Sequence, residues 1–215
     1  MASDTASTVR SDVGETTYDR ILAAATSLFI EKGFAGTPVS QVAKNAGVTT
    51  PALYWHFGSK EELYFTAVKR VYVGYRDELL ARAVGHSSEE RLGAYVHAFV
   101  EMQLRDPEIS TEFGYQQLRD ALQDDKRAEL DAVEASWVDH LKQILLDGRE
   151  EGVFTFRDLN LTAMALISMC EYVFTWFKPD GRLATRDVAD LYTKFASRLV
   201  GAELKPPCGD EQDPT

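Results

Sequence analysis

Apolar residues recur at intervals of three and four along most of the chain, the spacing that predicts α-helices. The first run begins at Tyr18, where Thr16 and Asp19 are spaced as a capping box, and Gly33 is its expected stop. Its apolar positions are Ile21, Leu22, Ala25, Leu28 and Phe29. Because we find no convincing period-2 strand pattern and no internal repeat, the sequence predicts an all-α protein.

Two short helices are predicted next. After a turn at Gly36, Thr37 is the expected N-cap of the second helix, with Pro38 at the first helical position, where its missing N–H costs nothing. Gly47 ends this helix, whose apolar stripe is Val39, Val42, Ala43 and Ala46.

A third helix of about seven residues is predicted over 50–56, with Thr49 as its N-cap. A helix this short is marginal in water. Leu53 and Phe57 are therefore expected to anchor it against the apolar residues of the first two helices. The remaining side chains would lie on its exposed sides.

The rest of the chain predicts longer helices. Ser59 and Glu62 are spaced as a second capping box, which starts a helix as far as about Ala83. Five further helices are predicted, over 88–106, 109–122, 126–151, 159–177 and 185–200. The organisation that we predict is a disordered arm (1–17), a three-helix N-terminal domain (18–72), a larger helical domain (73–204) and a disordered tail (205–215).

Charge separates the two predicted domains. The formal net charge of −11 argues, taken alone, against a nucleic-acid partner. Residues 18–72, however, carry six Lys or Arg against four Asp or Glu, whereas residues 73–215 carry 16 against 27. Charges on the distant acidic domain are largely screened beyond about 10 Å. The positive segment is also the segment with the two short helices.

Cysteine usage and hydropathy indicate the compartment. The only cysteines, Cys170 and Cys208, give neither a disulfide framework nor a zinc cluster. The N-terminus has no signal-peptide core, and no apolar segment reaches the roughly 18 residues of a membrane span. We therefore expect a cytoplasmic protein without a membrane partner.

Two short helices joined at Gly47 match a helix-turn-helix, in which the second helix inserts its N-terminal residues into the DNA major groove. Thr50 can hydrogen-bond to base edges, and Pro51 and Ala52 are small enough to pack on a thymine methyl group. Helix N-termini add free N–H groups for phosphate. The side chains suited to donate to phosphates are Tyr54, His56 and Lys60.

The run ILAAATSLFIEKGFAGTPVSQVAKNAGVTTPALYWHFGSKEEL, residues 21–63, resembles the DNA-binding domain of TetR-type (tetracycline-repressor-like) regulators of transcription. The resemblance implies a homodimer whose C-terminal domain binds a small molecule and then releases double-stranded operator DNA. The residues that carry it are Phe29, Gly33, Thr37, Val42, Ala43, 47–49, 53–57, Ser59 and Lys60.

By this resemblance, three side chains read bases: Thr50, Pro51 and Ala52. Ser40 reaches a base or a phosphate, and Thr49 belongs to the same DNA-binding set. The side chains implied to hold the DNA backbone are Thr37, Tyr54, Trp55, His56 and Lys60. Trp55 has a second interpretation, as a packing residue of a small core.

The stretch LTAMALISMCEYVFTWF, residues 161–177, is apolar nearly all round, with Glu171 as its one charge. Such a helix is buried on more than one side. One face is therefore expected to line an internal ligand pocket and another to pack against a second copy, together with the final helix. The predicted pocket residues are Phe99, Met102, Gln103, Tyr115, Trp137, Met164, Ser168, Tyr172 and Trp176. The predicted dimer-interface residues are Phe174, Phe177, Val188, Leu191, Phe195 and Leu199.

The nature of the effector has two interpretations. Residues 172–192 resemble TetR-type regulators of lipid, sterol and fatty-acid catabolism, several of which respond to acyl-CoA thioesters. The shared features are an aromatic pair, a proline, a Gly-Arg-Leu turn and a capped final helix. The competing interpretation is a multidrug sensor that binds lipophilic cations through Glu171 and aromatic rings.

Two other classes of protein are alternatives for an all-helical chain. An enzyme or metal protein has no support, because the chain lacks a nucleophile elbow, a phosphate loop and a Glu-x-x-His pair, and its histidines share no ligand spacing. No metal, cofactor or catalytic residue is expected. A helical interaction adaptor, which would use the acidic surface of residues 73–215 and not bind DNA, is the remaining alternative. Repression and activation are both compatible with the sequence.

Overall fold

The computed structural model describes residues 16–105 and 124–204. These residues contain helices and no strand, which confirms the predicted all-α class. The elements are α1 (Thr17–Gly36), α2 (Val39–Asn45), α3 (Thr50–His56), α4 (Lys60–Arg82), α5 (Ser88–Arg105), α6 (Asp124–Glu150), α7 (Leu159–Glu171), a 3₁₀ turn (Val173–Thr175) and α8 (Thr185–Val200). The predicted helix 109–122, the tail, and the arm as far as residue 15 lie outside the described residues.

The first helix begins as predicted and ends differently. Thr16 is its N-cap, and the Thr16 hydroxyl oxygen accepts a hydrogen bond of 3.1 Å from the backbone N–H of Asp19. Gly33 has a φ of +67°, a conformation that glycine adopts without a Cβ penalty. The chain resumes one more helical turn beyond it, so Gly33 breaks α1 and Gly36 ends it.

The prediction for Thr37 as an N-cap is wrong. Pro38 is the N-cap residue of α2, without a side-chain cap bond, and the helix begins at Val39. Thr37 is fully buried, and its hydroxyl donates a hydrogen bond shared between the carbonyl oxygens of Leu28 (3.0 Å) and Gly33 (2.8 Å). Because carbonyl groups at a break and at a helix end need donors, the Thr37 hydroxyl is drawn back to α1.

The third helix is anchored as expected. The backbone N–H of Ala52 donates to the Thr49 hydroxyl oxygen over 3.3 Å, which confirms Thr49 as the N-cap. Leu53 and Phe57 are buried, as are the apolar residues of α1 and α2 that they were predicted to contact. Burial of this kind, rather than intrinsic propensity, stabilises a seven-residue helix.

The chain divides within α4. Residues up to Ala67 form one compact unit and residues from Val68 form a second, so α4 belongs to both. The sequence prediction placed the boundary at residue 72, in the same helix. In the second unit α5 packs against α6, α7 and α8 and is buried over most of its length.

The helix predicted over 159–177 is shorter than expected. It ends at Glu171, and the chain continues through Tyr172 (φ −92°, ψ 10°) into a 3₁₀ turn. The residues that follow are aromatic or β-branched, and these have low helix propensity. Pro179 then disfavours the α conformation at Lys178.

None of the helices in residues 16–105 and 124–204 is both long and apolar enough to cross a membrane.

Candidate nucleic-acid interface

The exposed side of α3 carries the predicted DNA-binding residues. Leu53 and Phe57 point into the core of the first unit. The first turn of α3 and the aromatic residues Tyr54 and Trp55 therefore face solvent. Ser40, Thr49 and Pro51 are exposed, and Thr50, Ala52 and His56 are half-buried. A short helix with small and hydroxyl-bearing residues on its free side can enter a DNA groove closely.

Trp55 is the most exposed large side chain on this surface. Its relative exposure is 83%, and Tyr54 beside it is 44% exposed. The interpretation of Trp55 as a core residue is therefore wrong. Its ring meets the His56 ring edge-on at a centroid distance of 4.9 Å. Exposed apolar surface with polar residues around it is typical of an interaction site.

Thr37 is excluded from a direct DNA contact. Its hydroxyl donates to carbonyl oxygens of α1, and its backbone N–H donates to the carbonyl oxygen of Phe34 over 3.4 Å. The residue supports the surface from below instead, because it fixes the segment between α1 and α2.

Tyr18 is a residue that the sequence reasoning missed. Its ring stacks on Phe57 at 4.8 Å and lies 6.4 Å from the His56 ring, and the residue is 39% exposed. The start of α1 thus lies beside the end of α3, and the His56 ring meets both the Tyr18 and the Trp55 rings. The sequence placed Tyr18 on the first helix but gave no indication of this contact.

The predicted effector pocket separates into two groups. Phe99, Met102 and Gln103 of α5 are buried, and Trp137 of α6 is half-buried. The Tyr75 ring lies 5.9 Å from both Phe99 and Trp137, which makes an aromatic cluster in the second unit. The predicted residue Tyr115 lies outside the described residues.

The other predicted pocket residues are on the surface. Met164, Ser168, Tyr172 and Trp176 are exposed, so their assignment to an internal pocket is wrong in the described chain. For Met164 and Ser168 the reason is the period of α7, which turns a different set inward, whereas Tyr172 and Trp176 lie beyond the end of that helix. The buried residues of α7 are Ala163, Leu166, Ile167 and Cys170.

Burial shifts the pKa of several titratable groups in the second unit. Burial raises the pKa of the Tyr75 and Tyr95 hydroxyls, and the Tyr95 hydroxyl donates to the Trp137 carbonyl oxygen over 3.1 Å. Burial also raises the pKa of the Cys170 thiol, which excludes a reactive thiolate. Desolvation raises the pKa of the Glu171 carboxyl, although much of the residue is exposed. Within the described residues no group of three His, Cys, Asp or Glu could hold a metal ion.

Several apolar side chains on α7, on α8 and in the segment after α7 are exposed in the described part of the second unit, and we call this set the α7–α8 face. Its members are Leu161, Met164, Tyr172, Trp176, Leu191, Phe195 and Leu199, each at least 38% exposed. Three of the predicted dimer-interface residues lie on it: Leu191, Phe195 and Leu199. Phe174 and Phe177 are half-buried against the core. Val188 is 1% exposed and packs within its own chain, so its assignment to a dimer interface is wrong.

Comparison with known families accounts for both units. Residues 21–67 match the family described as bacterial regulatory proteins, tetR family, and residues 85–200 match the tetracyclin repressor-like, C-terminal domain. The chain therefore belongs to the TetR family of transcriptional regulators. The family and its relatives are regulators of transcription and not enzymes.

Individual relatives agree with this assignment. The chain is 29% identical over 147 residues to the transcriptional repressor NicS of Pseudomonas putida, covering 68% of this chain and 69% of NicS. It is 27% identical over 190 residues to the repressor KstR2 of Mycolicibacterium smegmatis, covering 81% and 85%. Among solved structures, AibR in complex with isovaleryl coenzyme A and operator DNA is 26% identical with a TM-score of 0.70, covering 87% of this chain and all of AibR.

Proposed function

We propose that the protein is a cytoplasmic repressor that binds a palindromic operator as a homodimer and is released by a small hydrophobic effector. Residues 18–72 are the proposed DNA-binding domain and residues 73–204 the proposed effector and dimerisation domain. The observation that carries the proposal is the free side of α3, where Tyr54 and Trp55 are exposed on a helix-turn-helix. The repressors NicS and KstR2 and the operator-bound AibR support it.

Each proposed contact follows from exposure and chemistry. Thr50, Pro51 and Ala52 read base edges from the first turn of α3. Tyr54, Trp55, His56 and Lys60 contact the backbone on either side, together with Ser40 and Thr49 at the N-terminal ends of α2 and α3. Contacts with phosphates release counterions, so binding weakens as salt increases.

The test starts from selection of duplexes by the purified protein from a random DNA library, followed by titration of the selected palindrome. The variants Tyr54→Ala, His56→Ala and Lys60→Ala are each expected to weaken binding, and Lys60→Ala to reduce the salt slope by about one. Lys32→Ala is the matched control, because it removes the same charge from the same unit at a lysine that pairs with Glu31 and is not among the proposed DNA contacts. Unchanged binding in all three variants would contradict the site assignment.

Palindrome recognition needs two recognition helices at a fixed spacing, about 34 Å or another whole number of helical turns. The α7–α8 face supplies the proposed dimer contact, since antiparallel pairs of these helices from two subunits form a four-helix bundle. The exposed aromatic and aliphatic side chains on this face would otherwise remain in water.

The effector class that we propose is an acyl-CoA thioester. The support is AibR, whose structure contains isovaleryl coenzyme A, and the aromatic cluster around Tyr75, Phe99 and Trp137 is the apolar part of the proposed site. Operator release should be measured with short- and long-chain acyl-CoA thioesters and, in a separate arm, with a quaternary ammonium dye. Release by the dye alone would favour the lipophilic-cation sensor and contradict the acyl-CoA proposal.

The proposed mechanism is a shift between two populations in which α4 changes its tilt. Ion pairs from Arg82 to Glu101 and from Arg105 to Glu78 connect α4 to α5. One turn before Glu101 on α5, the buried His97 lies 3.5 Å from the Glu101 carboxylate and 3.2 Å from Asp190 of α8. An effector that moves α5 would therefore change the tilt of α4, which continues into the first unit.

The strength of this coupling can be measured directly. A coupling free energy of about 1–3 kcal/mol is usual between an effector and a second ligand. Saturating effector is thus expected to weaken operator binding about five- to 150-fold. Equal operator affinity with and without a bound effector would contradict the mechanism and leave the DNA-binding assignment intact.

A further inference from the structure

Lys60, the first residue of α4, lies against an aromatic ring. Its ammonium nitrogen is 4.5 Å from the centroid of the Phe34 ring, within cation–π range, and both residues are half-buried. The two residues come from different helices of the first unit, so the contact depends on the tertiary structure.

Lys60 lies at the end of its helix that is less favourable for a cation. The positive end of the helix dipole lies at the N-terminus of α4, where a cation is disfavoured. Glu61 and Glu62 in the same turn suit this dipole, and the Glu62 carboxylate accepts a hydrogen bond of 3.0 Å from the backbone N–H of Gly58. The negative face of the Phe34 ring provides the compensating attraction for the ammonium group.

Phe34 is itself held firmly. The centroid of its ring lies 4.9 Å from that of Tyr64 and 6.3 Å from that of Phe29. The Tyr64 and Phe29 ring centroids are 4.8 Å apart. The break at Gly33 turns Phe34 towards these rings, and the Thr37 hydroxyl fixes the break by bonding to the Gly33 carbonyl. The ring is therefore a fixed platform, while a lysine side chain is otherwise long and mobile.

We propose that Phe34 is a positioning residue for DNA binding, which holds the Lys60 ammonium group in place before a phosphate arrives. The ring covers one side of the ammonium group and leaves its other N–H donors free for a phosphate oxygen. Because the lysine is already ordered, less conformational entropy is lost when the phosphate binds. This inference rests on the proposed function and adds a residue that does not itself contact DNA.

A double-mutant cycle with the selected palindrome tests the inference. Phe34→Leu removes the aromatic face and keeps an apolar side chain, and it is expected to weaken binding about two- to fivefold. In a Lys60→Gln background the same change is expected to have no effect, because no cation remains to be positioned. Phe34→Tyr keeps the ring and is expected to retain wild-type affinity.

Two results would overturn the proposal. Equal loss of affinity from Phe34→Leu in both backgrounds would show that Phe34 acts only through the fold, and a gain in affinity would show that the ring competes with the phosphate. Failure of the wild-type protein to select any duplex would instead overturn the proposed function, and this inference with it.

An NMR measurement without DNA reports the contact separately. The ε-methylene protons of Lys60 are expected to be shifted upfield by the ring current in the wild type and in Phe34→Tyr, but not in Phe34→Leu. A wild-type shift equal to that of Phe34→Leu would also overturn the proposal.

Discussion

Thr37 stabilises the segment beneath the proposed DNA-binding surface. Its buried hydroxyl serves two carbonyl oxygens of α1. Thr37→Val keeps the shape of the side chain and leaves these oxygens short of a donor, which is expected to cost about 1–3 kcal/mol of unfolding free energy. Urea denaturation measures the loss.

Thr26→Val is the control for Thr37. The Thr26 hydroxyl bonds to the carbonyl oxygen of Leu22 within one helix, where the backbone ladder already serves that oxygen. A change of less than about 0.5 kcal/mol is expected. Equal effects of the two substitutions would show that the Thr37 hydrogen bonds do not stabilise the break in α1.

His140 is expected to make stability depend on pH. Burial, with a contribution from Arg91, lowers the pKa of its imidazole below the usual 6.5, so the folded chain resists protonation more than the unfolded chain does. The free energy of unfolding should therefore fall as pH decreases below about 6.5, and this contribution should be constant above it.

Substitution of His140 tests this pH dependence of stability. His140→Gln is expected to reduce the difference in unfolding free energy between about pH 7.5 and about pH 5.5. His86→Gln, at an exposed histidine, should retain the wild-type difference. An unchanged difference in His140→Gln would contradict the assignment.

The end of α6 depends on a glycine. A Cβ at Gly148 would lie 2.1 Å from the ring of Phe154, which is buried and donates its backbone N–H to the Gly148 carbonyl over 2.9 Å. Gly148→Ala is therefore expected to lower the free energy of unfolding by about 1–3 kcal/mol.

Gly74 in α4 gives the opposite expectation. It is exposed, and a Cβ there would meet nothing within 4 Å. Gly74→Ala should raise the free energy of unfolding by about 0.5–1 kcal/mol, since alanine favours a helix interior. Thermal unfolding of both variants measures the signs, and a stabilising Gly148→Ala would contradict the proposed packing of Phe154.

The proposed dimer depends on the α7–α8 face. Phe195→Lys places a charge among exposed apolar residues and is expected to shift the protein from dimer to monomer in sedimentation experiments. Gln143→Lys is the control, because it adds the same charge on α6, where Asp147 can pair with it. A dimer that persists in Phe195→Lys would assign the dimer interface to another surface.

Much of the molecule was predictable from local patterns. Helical periodicity, the caps at Thr16 and Thr49 and the anchors Leu53 and Phe57 were all read correctly, because each depends on residues within one or two turns. The helix-turn-helix and the family followed from the same residues. These features were determined by the sequence itself.

Only the tertiary structure decided which apolar stripes are covered. Residues 161–177 are apolar nearly all round, yet Met164 and Tyr172 remain exposed. By contrast α5, which has several charged residues, is buried over most of its length, including His97 and Gln103. Packing between elements that are distant in sequence buries the Thr37 side chain and leaves Trp55 exposed. The same packing brings the Lys60 ammonium group against the Phe34 ring. A local pattern shows that a stripe is apolar, but it does not show which element covers that stripe. The covering element depends on the packing of the whole chain or, on the α7–α8 face, on the proposed second subunit.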